Sequence, residues 1–489
     1  MLPTTEMAAV QVIEQPKLPW PDSHLSHRLH EKVDNLQKIP YKPLGKRKTL
    51  TAVKRSQAML SVPIVFSPDK IQFVMLSFEG PDHFAMAGGL SIRAQELCSS
   101  LATQGYDVHL YFIGDPMFAP TEQRGNWHLY RWCQWISSAN PGGCYVAERL
   151  KVDDYGRSVP PAVVRDVIVP AAQKGITTVV LAEEWQTIPA VFRLREALRE
   201  NNLESRVMIL WNANNLYGFE GVNWPRLNEA CIITSVSRYM KHRMWLWGVN
   251  PVVIHNGIPS RLLEPVNEDI VQKLRQIFPN LLLAKVGRYD VDKRWLMAMK
   301  AVGEMKRQGM RPTLIARGGT EYHRFEVMRE AEAQGLTWKE LQLNPKAPPE
   351  EILHELDKCR DYDVLELCFF VDEAFLDPLY AGADAVLANS GHEPFGLVGL
   401  EVMACGGLAF VGSTGEDYAQ TMVNSVVIET EDPLEIVESM RTLQADKELS
   451  QALRQEGRRT AACFTWDRII IDLFQKIRFL STSRGIELN

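Results

Sequence analysis

Apolar and polar positions along the chain change character at about residue 65. Before it, prolines recur (Pro3, Pro16, Pro19, Pro21, Pro40, Pro43) and no helical or strand period is sustained. Beyond it, order begins at Ile71, and Phe73-Val74-Met75-Leu76 is the short unbroken apolar run of a strand buried on both faces. After Gly88 and Gly89, residues Leu90, Ala94, Leu97 and Leu101 recur at helical spacing, with Arg93, Glu96 and Gln104 on other faces, and Gly105 ends the helix. Val108 to Phe112 is the next apolar run and completes a βαβ unit. The arrangement recurs further on: a strand over 281–286, an amphipathic helix from Trp295 to Lys306 carrying Leu296, Met299 and Val302, a stop at Gly309, and a strand over 313–316. Two such openings predict an α/β chain with two doubly wound, Rossmann-like domains. The junction falls at Asn256-Gly257-Ile258-Pro259, followed by a less regular stretch to Pro279.

Length agrees with that division, since 489 residues suit two or three domains with ample core. Charge narrows the partners. With 54 Lys+Arg against 60 Asp+Glu, the formal net charge is −6 and the pI about 6.1, which excludes a globally basic nucleic-acid binder. The average conceals a basic strip: between residues 38 and 55 the charges are Lys38, Lys42, Lys46, Arg47, Lys48, Lys54 and Arg55, with no acid. That strip is either a solvated, poorly ordered extension or a docking segment for a membrane surface or another anionic partner. No apolar run approaches the ~20 residues of a membrane span. The N-terminus, with Glu6 and Glu14, lacks the apolar core of a secretory signal. Eight cysteines without a C-x-x-C pair read as reduced thiols of a cytoplasmic protein and exclude a zinc ribbon.

Neither βαβ unit carries G-x-G-x-x-G, so a nicotinamide or flavin site of the usual kind is unsupported. The first unit instead has Ala87-Gly88-Gly89-Leu90, where paired glycines at a helix start make either a turn or a close backbone approach to a phosphate or sugar oxygen. The second has Gly287-Arg288-Tyr289-Asp290-Val291-Asp292-Lys293 after its first strand. Two cations at that strand end either lie in solvent or hold a diphosphate, the arginine as a planar fork and the lysine as a point charge. The intervening Asp290 and Asp292, flanked by those cations, read poorly as a metal site. Further on, the strand Ala385–Ala388 leads to His392-Glu393-Pro394-Phe395-Gly396-Leu397, then Glu401. Pro394 keeps Glu393 in the loop and starts a helix just after it, leaving amides near Phe395, Gly396 and Leu397 unsatisfied. Carboxylates that accept from hydroxyl pairs, free amides and a cationic pair together fit a nucleotide sugar.

These residues resemble the family 4 type of retaining glycosyltransferase with the GT-B fold, the superfamily that includes bacterial glycogen and sucrose synthases. The resemblance covers about 71–480 and rests on the E-x7-E spacing Glu393 to Glu401 and the G-R-x4-K spacing Gly287 to Lys293. Ala87-Gly88-Gly89-Leu90, Ser235-Val236-Ser237-Arg238, the 252–258 stretch and Phe464-Thr465-Trp466 support it. It implies a two-domain GT-B enzyme of the hexosyltransferase class that transfers a sugar from a nucleoside-diphosphate sugar to a hydroxyl acceptor with retention of configuration. The donor is a co-substrate, and no cofactor or metal is implied. Arg288 and Lys293 would hold the donor diphosphate, Glu393 the sugar hydroxyls, and Glu401 the ribose. The amides of Phe395, Gly396 and Leu397, with Gly88 and Gly89 from the other domain and Thr414 and Gly415, would complete the donor site, and 364–370 would meet the base. The acceptor, a glycan, lipid or small molecule, would meet Glu184, Trp185, Asn214 and Asn215 of the N-terminal domain, where the asparagines read either as acceptor contacts or as turn residues.

The implied division is an extension over 1–68, an acceptor domain over 69–258, a donor domain over 259–465, and a helix over 466–489 crossing back to the N-terminal domain. Two departures matter. Glycogen synthases carry a lysine where this chain has Met86, and His-Asp-Trp where it has Glu183-Glu184-Trp185. Both argue against an ADP-glucose enzyme extending an α-glucan. The rivals are a non-catalytic sugar-nucleotide or glycan-binding protein on the same fold and a GT-B phosphorylase or epimerase. Twelve tryptophans are unusually many. Trp185, Trp211 and Trp224 either fill the core or stack on an acceptor sugar.

Overall fold

The computed structural model describes residues 65–345, 347–486 and 488. The basic strip over 38–55, and the extension up to residue 64, lie outside the described residues.

Eight strands form the first sheet: β1 (Ile71–Leu76), β2 (Val108–Ile113), β3 (Thr121–Arg124), β4 (Trp127–Trp132), β5 (Thr177–Glu183), β6 (Val207–Ala213), β7 (Ile232–Ser235) and β8 (Val252–Val253). Their order is β3-β4-β2-β1-β5-β6-β7-β8, parallel throughout except for the antiparallel edge pair β3 and β4. β1, β2, β5 and β6 are buried at every position, as strands covered by helices on both faces must be. Between β1 and β2 runs α1 (Gly89–Thr103).

The second sheet has β9 (Leu281–Val286), β10 (Pro312–Arg317), β11 (Trp338–Leu341), β12 (Val364–Leu367), β13 (Ala385–Ala388), β14 (Ala409–Val411) and β15 (Val426–Val427). All its pairs are parallel, in the order β11-β12-β10-β9-β13-β14-β15. α2 (Trp295–Arg307) buries Trp295, Met299 and Val302 against this sheet, and α3 (Leu397–Ala404) follows β13. In both sheets the strand order reverses beside the first strand, between β1 and β5 and between β9 and β13.

The stretch after the junction is more regular than its sequence suggests. A helix spans Glu268–Ile277, capped by the Asn267 side chain and burying Ile270 and Leu274. Its signals were present, with acids in the first turn, an arginine in the last, and apolar residues four and three apart.

The chain crosses between the sheets twice, side by side. The Ile258 amide donates to Phe464 O at 2.9 Å and the Trp466 amide to Ile258 O at 3.0 Å. Gly257 lies so close to the Trp466 ring that a Cβ there would overlap it. After the second crossing, α4 (Trp466–Arg484) packs along α1. Its Phe474 meets Phe73, Tyr106 and Phe66 at ring separations of 6.1, 5.2 and 5.4 Å. Lys476 of α4 also donates to Val253 O at 2.6 Å. Among the described residues, no helix is long and apolar enough to cross a membrane.

Candidate active site

Open α/β sheets bind ligands beyond the carboxyl ends of their strands, where the strand order reverses. In the second sheet, the loops leaving β9 and β13 occupy that point, and they carry the two motifs singled out from the sequence. Gly287, at φ +149, turns the chain out of β9, and its amide donates to Arg317 O at 3.0 Å. Asp290 then caps a single 3-10 turn by accepting from the Asp292 amide at 2.9 Å, so its carboxylate serves the turn. Lys293 closes that turn and forms an ion pair with Glu393 from the β13 loop. Arg288 is exposed, and its carbonyl accepts from Trp295 Nε1 at 2.8 Å, which fixes the backbone and leaves the guanidinium in solvent. His392 is exposed, 3.4 Å from Asp292.

Glu393 is braced from behind. Its amide donates to Thr414 Oγ1 at 2.9 Å, and that hydroxyl lies 3.3 Å from Glu393 O. Gly415 is required by contact, since a Cβ there would overlap the carbonyl oxygens of Glu393 and Pro394. Glu416 comes next. One carboxylate oxygen accepts from the Thr414 amide at 3.1 Å, and the other is buried with no partner. Burial, reinforced by Glu393, pushes its pKa up to about 8. Sequence reasoning reached Thr414 and Gly415 but missed Glu416, although the acid is the next residue in the same loop.

Gly396, at φ +73, leads into α3, whose first-turn amides have no partner within the helix and whose N-terminus carries partial positive charge. The Phe395 ring is buried among His255, Tyr418 and Phe464, at 5.8, 6.0 and 6.2 Å, so it anchors the loop beside both crossings. Glu401, further along α3, has different company from Glu393. Its charged neighbours are Asp377, Glu373 and Arg261, and burial, then repulsion from the two acids, pushes its pKa up to about 7. Beneath the loops, Lys285 of β9 is fully buried and donates to Leu387 O at 2.9 Å and Asn389 Oδ1 at 2.6 Å, tying β9 to β13. Burial, with repulsion from Lys293 and Arg294, holds its pKa well below the ordinary lysine value.

The first sheet's reversal point is organised by buried acids. Gly88 and Gly89 are exposed, and a Cβ at either would meet nothing within 4 Å. The sequence suggested free amides here, but those of Ala87, Gly88 and Ser91 donate to one oxygen of Glu79 at 3.3, 3.0 and 3.0 Å. The other Glu79 oxygen accepts from Tyr145 OH at 2.6 Å. An internal carboxylate thus takes the position favoured by the dipole of α1. Arg93 also departs from expectation. It is buried, pairing with Glu183 at 3.1 Å and donating to Asn256 Oδ1 at 2.6 Å. Glu183 further accepts from the side chains of Asn212 and Asn214 at 2.8 and 2.7 Å.

Glu184, at φ +64, accepts the Asn214 and Asn215 amides on one oxygen at 2.5 and 3.1 Å, while its other oxygen is buried without a partner. Burial pushes its pKa up to about 8. The Asn215 side chain accepts from the Tyr217 amide at 2.7 Å, closing a turn. Trp185 is half-buried and lines a cavity of about 890 Å³ with Ile188, Phe192, Leu216 and Tyr217. Trp211 and Trp224 are core residues instead. Both are buried, 5.9 Å apart in an aromatic cluster with Phe219, so neither presents a face to a sugar. The two domains touch where Asp417 accepts from the Arg238 amide at 2.7 Å and pairs with His255 at 3.0 Å.

Residues 267–460 match the family described as Glycosyl transferases group 1. The chain is 34% identical over 102 residues to a D-inositol 3-phosphate glycosyltransferase of Salinispora arenicola, a stretch covering 20% of this chain and 23% of that relative. The chain thus matches only about a quarter of that relative's length. A sucrose-phosphate synthase from Thermosynechococcus elongatus superposes with a TM-score of 0.59 at 18% identity, covering 84% of this chain and all of the other. The catalytic domain of starch synthase IV from Arabidopsis thaliana, bound to ADP and acarbose, superposes with a TM-score of 0.60 at 14% identity, covering 85% and 99%. Together with the two sheet orders, these likenesses establish the fold as GT-B.

Proposed function

We propose that this protein is a glycosyltransferase that moves a sugar from a nucleoside-diphosphate sugar to a hydroxyl acceptor, with retention of configuration. The observation that carries the reading is the meeting of Lys293 and Glu393 at the reversal point of the second sheet, beside the N-terminus of α3. Arg288, free in solvent, and Lys293, released from Glu393, bind the donor diphosphate. The first amides of α3 and those of Phe395 and Gly396 face the same negative charge. Glu393, held by Thr414 and Gly415, accepts from sugar hydroxyls, and Glu401 serves the ribose. The amide of Gly89 is the one nearest the start of α1 that Glu79 leaves to a ligand. Glu184, Trp185 and the Asn214-Asn215 turn border the acceptor, with the cavity beside Trp185 receiving its apolar part. Eight free thiols suit a cytoplasmic setting.

In the reaction, the acceptor oxygen forms a bond to the anomeric carbon on the face from which the diphosphate departs. The bond from that carbon to the phosphate oxygen breaks with its electron pair, and the acceptor proton passes to a donor phosphate oxygen. The protein contributes position and a preorganised cationic environment for the leaving group, and no nucleophile of its own. UDP-, GDP- and ADP-sugars, tested as a panel, are expected to give nucleoside-diphosphate release from at least one donor, and Arg288→Ala or Lys293→Ala is expected to slow it by about 10²–10³. Binding of a nucleotide sugar, read by thermal shift, without release under any acceptor condition would favour a binding protein instead. Release within tenfold of the parent in both variants would mean that the site is elsewhere.

A further inference from the structure

We propose that Asp107, His109 and His128 form a binding site for a zinc-class divalent cation on the first sheet, at the opposite end of the strands from the candidate active site. Asp107 immediately precedes β2 and His109 is its second residue, so the two share one face of the sheet. The parallel register of β2 with β4 sets His128 directly across from His109, on that same face. The two imidazoles stack with centroids 4.6 Å apart and planes 11° from parallel. The Asp107 carboxylate serves both rings, with one oxygen 2.6 Å from His128 Nε2 and the other 3.4 Å from His109 Nε2.

One ligand atom from each residue lies within 4.8 Å of the others. Zinc bonds of about 2.0–2.2 Å set tetrahedral ligand atoms about 3.4 Å apart, so the widest pair closes by about 1.4 Å, the His128–Asp107 contact opens, and the two rings turn out of their stack toward one ion. Two imidazoles and a carboxylate suit zinc and its first-row neighbours better than magnesium or calcium, and they leave a fourth tetrahedral position for water. The surroundings also fit. Tyr130 OH lies 3.1 Å from His109 Nδ1, which orients that ring and directs Nε2 to the cation, as second-shell groups of metal histidines do. Tyr130 is itself held by stacking on Tyr111 at 4.3 Å. The Asp107 side chain is 49% exposed and that of His128 24%, so a cation has a way in.

Without the cation, the His128 ring N–H donates to Asp107 at 2.6 Å, and the His109 ring lies 3.4 Å from the same carboxylate. With it, the metal replaces that proton and fastens the start of β2 to the start of β4, the strand that carries the antiparallel edge β3. Six residues of strand, about 20 Å, separate this point from the carboxyl ends. The cation therefore stabilises the sheet and takes no part in sugar transfer.

The test uses the full chain stripped of metal by a chelator. Zinc chloride titrated by calorimetry near neutral pH is expected to show one saturable site per chain. His128→Ala and Asp107→Asn should each weaken it by at least about tenfold, the lower bound set by losses from outer-shell changes alone. Zinc should raise the thermal midpoint of the parent chain and of neither variant, while turnover at moderate temperature stays unchanged. Cobalt in place of zinc should give tetrahedral absorption bands without a sulfur charge-transfer band. Absence of a saturable site, equal binding by the parent and both variants, or a sulfur band placing the metal on cysteine would overturn the proposal. Thermal midpoints in chelator show whether each variant folds. Asp107→Asn, which changes no volume, decides if His128→Ala does not.

Discussion

Lys293→Ala separates a structural ion pair from a catalytic one. In the free protein Lys293 and Glu393 are paired with side chains 26% and 20% exposed, and pairs this accessible to water contribute about 1 kcal/mol or less to stability. The folded state should therefore tolerate the change, with a thermal midpoint close to that of the parent. Transfer should not. An ammonium about 4 Å from a phosphate oxygen, at the effective dielectric of a partly water-excluded site, interacts by about 4 kcal/mol. Loss of one preorganised donor costs about 10²–10³ in rate, or about 2.7–4 kcal/mol. The substitution also leaves the Glu393 carboxylate uncompensated and facing an incoming diphosphate. Donor affinity should consequently fall further in Lys293→Ala than in the double variant Lys293→Ala/Glu393→Gln, whereas kcat should not recover, because Glu393 is needed by the sugar. The assay is single-turnover release of nucleoside diphosphate, with donor affinity by calorimetry and unfolding by circular dichroism. A rate within tenfold of the parent, or a loss matched by unfolding at the assay temperature, would refute the assignment of Lys293.

Other consequences follow from the same geometry. Glu184 and Glu416, with pKa values pushed up to about 8 from an ordinary 4.5, keep a proton in the native state that the unfolded chain has already lost. Native protein thus binds more protons than unfolded protein across that window, and stability should fall by about 1.4 kcal/mol per pH unit per group as pH rises from about 4.5 to about 8. Urea midpoints at intervals across that window should show the decline, and Glu184→Gln should remove about half of it, leaving the share of Glu416. Gly415→Ala forces a Cβ against two carbonyl oxygens of the Glu393 loop. It should cost about 1–3 kcal/mol and depress transfer beyond that loss, read by unfolding and activity together. Phe474→Ala removes the ring by which α4 holds Phe73, Tyr106 and Phe66. It should destabilise by about 3–5 kcal/mol and speed hydrogen exchange along α4.

What the sequence disclosed and what it withheld divide along a physical line. Strands buried on both faces are largely apolar, so β1, β2, β9 and β13 could be read directly despite Gln72, His109 and Lys285 within them, and the helices that cover them followed from their period. Loops at strand ends were readable as chemistry because Arg288, Lys293 and Glu393 are residue types with few structural duties there. Pairings across long sequence distances leave no local trace. Arg93 reads as a solvated helix residue until Glu183, ninety positions away, is seen to hold it. Glu79 gives no sign that it will take the amides of Gly88 and Ser91, and Trp211 and Trp224 look available until the core closes over them. His109 and His128 share a face only because β2 and β4 pair in one particular register, and a slip of one residue would turn one imidazole to the other side. The same dependence explains Glu401: a fixed spacing from Glu393 places it on α3, but the rotation of that helix, set by its packing on β14, the helix Glu373–Gly382 and the helix Lys447–Ala461, decides which charges it meets. Motif spacing therefore specifies which residues reach a site's neighbourhood, and packing specifies their protonation there. That is why Glu393 and Glu401, eight positions apart, face a lysine in one case and two acids in the other.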